Sequence, residues 1–234
     1  MKKEGKQNRY QIKFSPCKQC NQLQDQVVLE KRWVLPSIKG TGFPVHKLND
    51  YYQRVIRQWQ KRWDGELYWR SGIAFATCKE QGRAFLPWNV ELTQTVTYQS
   101  EAILSLVTEV REQWGKTQCR WIKYGDVWHL PSGTPALPWE FLNEKNGKKY
   151  LKQRLYEQFQ EMGQREGSHL PEMTQQQFCK LCHMDRFART DRGLEFYIPQ
   201  RVFIQGQEGI LTFFIPLDAN QIELEKLQAQ PVHQ

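Results

Sequence analysis

The sequence contains no run of about 20 apolar residues, the length that a membrane-spanning helix requires. Residues 1–9 are basic, but the apolar segment of a secretory signal does not follow them. As written, the chain is therefore expected to stay in the cytoplasm. A reducing cytoplasm disfavours disulfides, so closely spaced cysteines are expected to have metal-binding or redox roles.

Motifs of common catalytic sites are also missing. Neither a Gly-x-Ser-x-Gly nor a His-Glu-x-x-His segment occurs. Gly115-Lys116-Thr117 resembles the end of a phosphate-binding loop, but that motif needs a glycine where this sequence has Val110. Four glutamates could include an acid–base pair, although strands usually place glutamate on the solvent face: Glu91, Glu101, Glu109 and Glu112. The sequence therefore predicts a protein that is not an enzyme.

The composition is that of a folded, basic protein. Hydrophobic residues make up 39% of the chain and aromatic residues 13%, with nine tryptophans, which is enough for a packed core. The formal charge of +8 favours acidic partners such as nucleic acid, phospholipid head groups or anionic wall polymers. The basic residues are scattered among acidic ones rather than concentrated on one element with aromatics between them. That distribution disfavours nucleic acid.

Two Cys-x-x-Cys segments are the sharpest local motif. Cys17 and Cys20 form one, and Cys179 and Cys182 form the other, directly before His183. Two such segments can supply four thiolates to a structural Zn²⁺ ion, which would tie the N-terminal arm to a late helix. The alternatives are incidental buried cysteines and a redox dithiol. The other two cysteines fall in predicted strands, where core packing is expected: Cys78 and Cys119.

Hydrophobic spacing predicts an α+β fold, an antiparallel β meander with packed helices. Residues 1–25 are predicted to form a loose polar arm and residues 218–234 a polar tail. Strands are predicted at 26–35, 66–78, 84–98, 102–113, 117–129, 193–198 and 210–215. Helices are predicted at 48–63, 147–165 and around 173–182, with a helical turn at 137–142 and a stop for the first helix at Asp64-Gly65.

The tryptophans divide into core and surface candidates. Trp59 and Trp63 lie on the inner stripe of the first predicted helix, which assigns them to the core. The pattern leaves four others undetermined: Trp69, Trp88, Trp114 and Trp121. Trp114 is next to a turn and is the predicted exposed aromatic, a position from which it could stack on sugars or anchor a protein partner.

The order of these elements resembles the extracytoplasmic module of the anti-sigma factor RsiV, which also precedes the catalytic domain of the peptidoglycan deacetylase PdaC. The matching segments run in order from Trp33-Val-Leu-Pro-Ser-Ile-Lys-Gly40 through residues 96–110, 121–133, 187–199 and 209–216. Where relatives carry a Gly-Gly-Ala-His-Gly loop, this chain has Gly115-Lys-Thr-Gln-Cys119. The resemblance implies two family-like halves, residues 26–95 and 96–217, and a binding role, but it carries over no ligand-contacting residue.

Together these features predict a non-catalytic, sensing-type domain that binds an unknown protein or a cell-wall-type ligand. Relatives that the resemblance names are extracytoplasmic, in contrast to the expected cytoplasmic location of this chain. The alternative is a zinc-stabilised intracellular protein that binds nucleic acid or a regulatory partner, based on the net charge and the two cysteine pairs.

Overall fold

The structure is a computed structural model that describes residues 10–40, 43–116, 118–165, 170–199 and 209–217. It has strands and helices in the proportions of an α+β fold, which confirms the predicted class. The strands are β1 (Gln11–Leu23), β2 (Gln26–Lys39), β3 (Trp88–Gln99), β4 (Ile103–Trp114), β5 (Gln118–His129), β6 (Thr134–Pro135), β7 (Phe187–Thr190), β8 (Gly193–Ile198) and β9 (Leu211–Pro216). The helices are α1 (Phe43–Arg62), α2 (Tyr68–Glu80), α3 (Gly147–Gly163) and α4 (Gln175–Leu181).

The strands form a six-stranded sheet in the order β1-β2-β3-β4-β5-β6 and a three-stranded sheet in the order β7-β8-β9. The β1–β2, β5–β6, β7–β8 and β8–β9 pairs are antiparallel. The β2–β3 pair is parallel, from Leu29 opposite Trp88 to Trp33 opposite Leu92. A parallel pair needs a crossover, and α1 and α2 lie between these two strands in the chain.

The described chain divides into two units that interleave along the sequence. One contains residues 10–94 and 109–122, and the other contains residues 95–108 and 123–217. We call them the N-unit and the C-unit. The N-unit core contains Leu29, Ile56, Trp63, Leu67, Val90, Leu92 and Val110. The C-unit core is built around aromatic side chains that include Phe141, Phe159, Phe178, Phe187, Phe196 and Phe213. None of the described helices is long and apolar enough to cross a membrane.

Residues 66–78, predicted as a strand, instead lie in a helix. Asp64-Gly65 does not end α1, because the backbone continues through a π-helix, Trp63–Leu67, into α2. The buried positions Trp63, Leu67 and Ser71 are four residues apart, more than the 3.6 residues of an α-helical turn. The wider π turn accommodates this spacing and keeps the three positions facing inward. The helix ends near Gly82, whose φ of 61° suits glycine.

The predicted loose arm is also structured in its second part. Residues 11–23 form β1, which pairs with β2 from Gln11 opposite Lys39 to Leu23 opposite Gln26. The connection is a two-residue turn with positive φ at both positions, 50° at Gln24 and 61° at Asp25. Such a turn fits the twist of a β-hairpin. Residues 1–9 and the tail at 218–234 lie outside the described residues.

Side-chain amides cover a strand edge in each unit. In the N-unit, Asn49 of α1 accepts from the backbone N–H of Ile38 at 2.8 Å and donates to its carbonyl at 2.9 Å. In the C-unit, Gln158 of α3 accepts from Phe214 N–H at 3.1 Å and donates to the Phe214 carbonyl at 2.7 Å. Each amide therefore replaces part of a neighbouring strand, which protects an edge that could otherwise pair with another chain.

Candidate functional site

The first cysteine pair lies on β1. Cys17 is opposite Trp33 and Cys20 is opposite Glu30 in the β1–β2 ladder. Successive side chains of a strand point to opposite faces, so two residues three positions apart lie on opposite faces of the hairpin. Cys17 is half-buried and Cys20 is exposed. This geometry differs from the turn that lets both sulfurs of a Cys-x-x-Cys segment reach one ion.

The second cysteine pair lies at the end of α4. Burial, reinforced by the neighbouring Cys179 and Asp185, raises the pKa of Cys182 to about 12. Burial also raises the pKa of Cys179, although Lys152 opposes the shift. The thiolate is the form that attacks disulfides, so both shifts oppose a redox role for these two thiols. Within the described ranges, no three His, Cys, Asp or Glu side chains are grouped so that they could hold a metal ion.

Cys78 and Cys119 were predicted to lie in strands and to pack in a core, but neither is fully buried. Cys78 is half-buried in α2, and Cys119 is exposed on β5. The prediction of core packing was therefore wrong for Cys119.

We expect Cys20 and Cys119 to be alkylated before Cys182 in the folded protein, because both are exposed whereas Cys182 is buried and protonated at neutral pH. Mass spectrometry of peptides after brief iodoacetamide treatment would measure the order. Equal alkylation of Cys182 in the folded and urea-unfolded protein would contradict this result. Adding zinc before the iodoacetamide tests the metal prediction, since a four-cysteine site would protect all four of its cysteines from alkylation, including Cys17 and Cys179.

A buried carboxylate connects α1 to the sheet of the N-unit. Glu112 of β4 is fully buried and accepts from Arg62 Nε at 2.9 Å and Arg62 Nη2 at 3.0 Å. The indole N–H of Trp63 also donates to Glu112 at 3.3 Å. The hydrogen bond to Glu112 raises the pKa of Arg62 above its usual value. The expectation that strand glutamates face solvent was wrong for Glu112, whose partners lie 49 and 50 residues away in the chain.

A second buried charge holds the π-helix. Lys31 of β2 has a fully buried side chain that pairs with Asp64 in the π-helix. Asn21 of β1 also donates to Asp64, at 3.4 Å. Glu66 binds Arg62 on one side and Arg70 on the other. The π-helix is therefore fixed by polar contacts to β1, β2 and its own neighbouring turns, which sets the direction in which α2 leaves it.

The exposed tryptophan is Trp69 and not Trp114. Trp114 is half-buried, packs 6.2 Å from the Trp88 ring and lies under the Arg70 guanidinium at 5.3 Å. Trp63 is fully buried and Trp59 packs against the same core, as their spacing predicts. Trp69, by contrast, is 67% exposed on α2. The prediction of Trp114 as the exposed aromatic was wrong because it pairs with residues remote in sequence.

Trp69 belongs to an apolar strip on the outer face of α2. Ile73 is 48% exposed, and Ala76 is exposed one turn further on. Leu86, 47% exposed, follows Phe85, whose ring contacts the Phe75 ring edge-to-face at 5.5 Å and so holds this segment against α2. We call the group on this helix face the α2 surface: Trp69, Ile73 and Ala76.

The outer face of α2 has the spacing of a helix-pairing seam. Exposed residues occur at alternating three- and four-residue intervals: Glu66, Trp69, Ile73, Ala76 and Glu80. Apolar residues occupy the centre and glutamates the two ends, which resembles the apolar centre and polar rim of protein interfaces. The sequence contains this spacing, but it was not recognised because residues 66–78 were predicted to form a strand.

Two crystal structures share this architecture. One is a member of the DUF3298 family from Bacteroides fragilis NCTC 9343, with 11% identity, coverage of 90% of this chain and 92% of that one, and a TM-score of 0.59. The chain has a DUF3298-type fold. The other structure is a DUF3298 family protein from Pseudomonas aeruginosa PAO1, with 10% identity, 92% coverage of both chains and a TM-score of 0.50. At these identities the similarity is one of fold, and neither a protein-family model nor a curated protein matches the sequence.

Proposed function

We propose that this protein is a non-catalytic binding domain whose α2 surface docks a partner protein. The observation that carries the proposal is the exposure of Trp69 beside Ile73 on one helix face. Single exposed apolar residues are ordinary, but a group at helical spacing marks an interaction site. Tryptophan is also the residue type most enriched where interfaces gain most of their affinity.

The α2 surface is held in place before a partner arrives. Leu67 and Ser71 are buried on the opposite face of the helix, and the Arg62–Glu112 and Lys31–Asp64 pairs fix the preceding π-helix. A surface with a fixed backbone loses less conformational entropy on binding. The buried charges therefore support the proposed function as positioning groups and not as catalytic ones.

The resemblance to the RsiV module adds a finer proposal, that binding serves a sensing role with a protein or a cell-wall-type ligand. Support comes from the fold shared with the two DUF3298 proteins and from the ordered sequence segments described above. The α2 surface is the part of this chain to which we assign the recognition.

We expect Trp69→Glu to abolish retention of the partner and to change the melting temperature little, because the side chain is mostly in solvent. Immobilised wild-type and variant proteins would be exposed in parallel to host lysate, to a wall digest and to lysozyme, the protein that the resemblance to the RsiV sensor module suggests. Proteins retained saturably by the wild type would be purified and titrated, and Trp69→Glu is expected to weaken their binding by about 2 kcal/mol or more.

Phe14→Glu is the matched control, since Phe14 is a 38% exposed aromatic in the same unit but on β1. It should retain the partner as the wild type does. A partner held equally by all three proteins would contradict the role of the α2 surface. Absence of any saturable partner would contradict the proposed function as a whole.

A further inference from the structure

A basic depression lies beside the start of α3 in the C-unit. It has a volume of about 490 Å³ and is lined by Trp139, residues 145–149 and Lys152. Trp139 precedes the helix in a 3-10 turn, Pro138–Phe141. A Cβ added to Gly147 would lie 3.1 Å from Trp139 Cβ, so the tryptophan packs directly on the first residue of α3. The aromatic wall of the depression is therefore fixed to the helix.

The cations of this depression have no carboxylate partners. No carboxylate of the described residues lies within ion-pair distance of Lys145, Lys148, Lys149 or Lys152, whereas Arg154, two residues after Lys152, pairs with Glu157. The first three of these lysines are exposed. Between residues 145 and 156 the sequence has four lysines and one arginine and no Asp or Glu, and Glu144 and Glu157 flank this basic segment.

This arrangement is unfavourable for the isolated protein. The first turn of α3 has no acidic residue, and like-charged lysines lie three and four positions apart on one helix face. Cations are disfavoured at the start of a helix, where acidic groups would be stabilising. An anionic partner would relieve both the repulsion between lysines and the unfavourable interaction with the helix.

We propose that this depression binds an acidic peptide segment of a partner protein. Carboxylates that recur along a peptide match lysines that recur along a helix face. Leu137 and Tyr150, close to the depression in the chain and both more than a third exposed, offer contacts to apolar side chains between those carboxylates. The occupant is thus a segment with both acidic and apolar residues.

Two other polyanions fit less well. Nucleic-acid bases need an open aromatic face for stacking, but the Lys148 ammonium already lies over the Trp139 ring at 5.0 Å. A membrane surface is flat, whereas these lysines line a concavity. The depression is in the C-unit and the α2 surface in the N-unit, so this site adds to the proposed function and does not depend on it.

The test uses the full chain and a labelled peptide of Glu-Glu-Leu repeats, titrated by fluorescence anisotropy. The wild type should bind with an affinity that falls as salt is added. Lys145→Glu/Lys148→Glu/Lys149→Glu should weaken binding about tenfold or more. Its melting temperature should not fall, because glutamate near the start of a helix is stabilising, and the loss of binding is then not a loss of fold.

The charge-matched control is Lys13→Glu/Lys39→Glu/Lys61→Glu, which reverses three exposed lysines of the N-unit. It should keep the peptide affinity within about twofold, since screening weakens effects at a distance.

Equal losses in both triple variants would overturn the proposal, as would equal binding of a Gln-Gln-Leu peptide. Tighter binding of single-stranded DNA or anionic vesicles, lost in the first variant, would overturn the peptide assignment. Trp69→Glu should leave peptide binding unchanged, which separates this result from the test of the α2 surface.

Discussion

Replacing Glu112 by alanine is expected to lower the free energy of unfolding by about 3–5 kcal/mol. The carboxylate is fully buried, accepts two hydrogen bonds from Arg62 and one from Trp63, and has the Arg120 guanidinium at 3.9 Å. Its removal leaves the Arg62 charge without its main partner and the Trp63 N–H without an acceptor. Urea denaturation followed by tryptophan fluorescence would measure the change.

Glu109→Ala is the control on the same strand. Glu109 pairs with Arg111 at 2.9 Å, but the two side chains are 24% and 59% exposed. Ion pairs of this kind contribute at most about 1 kcal/mol. The difference between the two variants therefore isolates burial, because residue type and strand are the same. If both replacements lower the free energy of unfolding by the same small amount, Glu112 does not stabilise the contact between α1 and β4 as proposed.

Elements with a strong local pattern could be predicted from the sequence. The strands predicted at 102–113 and 193–198 match β4 and β8 closely, and the helix predicted at 147–165 matches α3. In α3 the buried side chains Leu151, Leu155 and Phe159 recur at the period of the helix. β4 and β8 are buried on both faces over most of their length, and short apolar runs bounded by turn residues indicate them as strands. No partner remote in sequence is needed to recognise such a pattern.

Elements that depend on remote partners could not be predicted. β1 is mostly polar and mostly exposed, and it forms because its backbone pairs with β2. Its turn at Gln24 and Asp25 lacks the glycine that usually marks a two-residue hairpin connection. The reading of 66–78 as a strand failed for a related reason: a π-helix continues the chain where Asp64-Gly65 suggested a stop.

The α2 surface could be predicted from the sequence only in part. Once α2 is known to be helical, the interval from Trp69 to Ile73 places both on one face, and the sequence alone gives that interval. Which face of α2 is buried depends on the direction in which the π-helix leads into it. That direction is fixed by the Lys31–Asp64 and Arg62–Glu112 pairs, whose members are 33 and 50 residues apart in the sequence. The lysines at the start of α3 could be recognised from the sequence, but the position of Trp139 beside them could not.

Gly125→Ala is expected to destabilise the C-unit by about 3 kcal/mol or more. Gly125 is buried on β5, and a Cβ there would lie 2.2 Å from the carbonyl oxygen of Phe187 and 2.5 Å from the backbone nitrogen of Ala188. Both neighbours are backbone atoms of β7, so a change of rotamer cannot relieve the overlap. The strands would have to separate, with loss of packing around Phe187. Urea denaturation combined with limited proteolysis would measure the cost and show whether cleavage falls within the C-unit.

Gly65→Ala is the control in the N-unit and should have the opposite sign. A Cβ at Gly65 meets nothing within 4 Å, and its φ is not in the left-handed region. Alanine loses less backbone entropy than glycine when a helix forms, so the variant should gain up to about 1 kcal/mol. The contrast tests whether close approach of β5 and β7, rather than glycine itself, is what the fold requires. Wild-type stability in Gly125→Ala would show that these two strands can lie further apart than the structure places them.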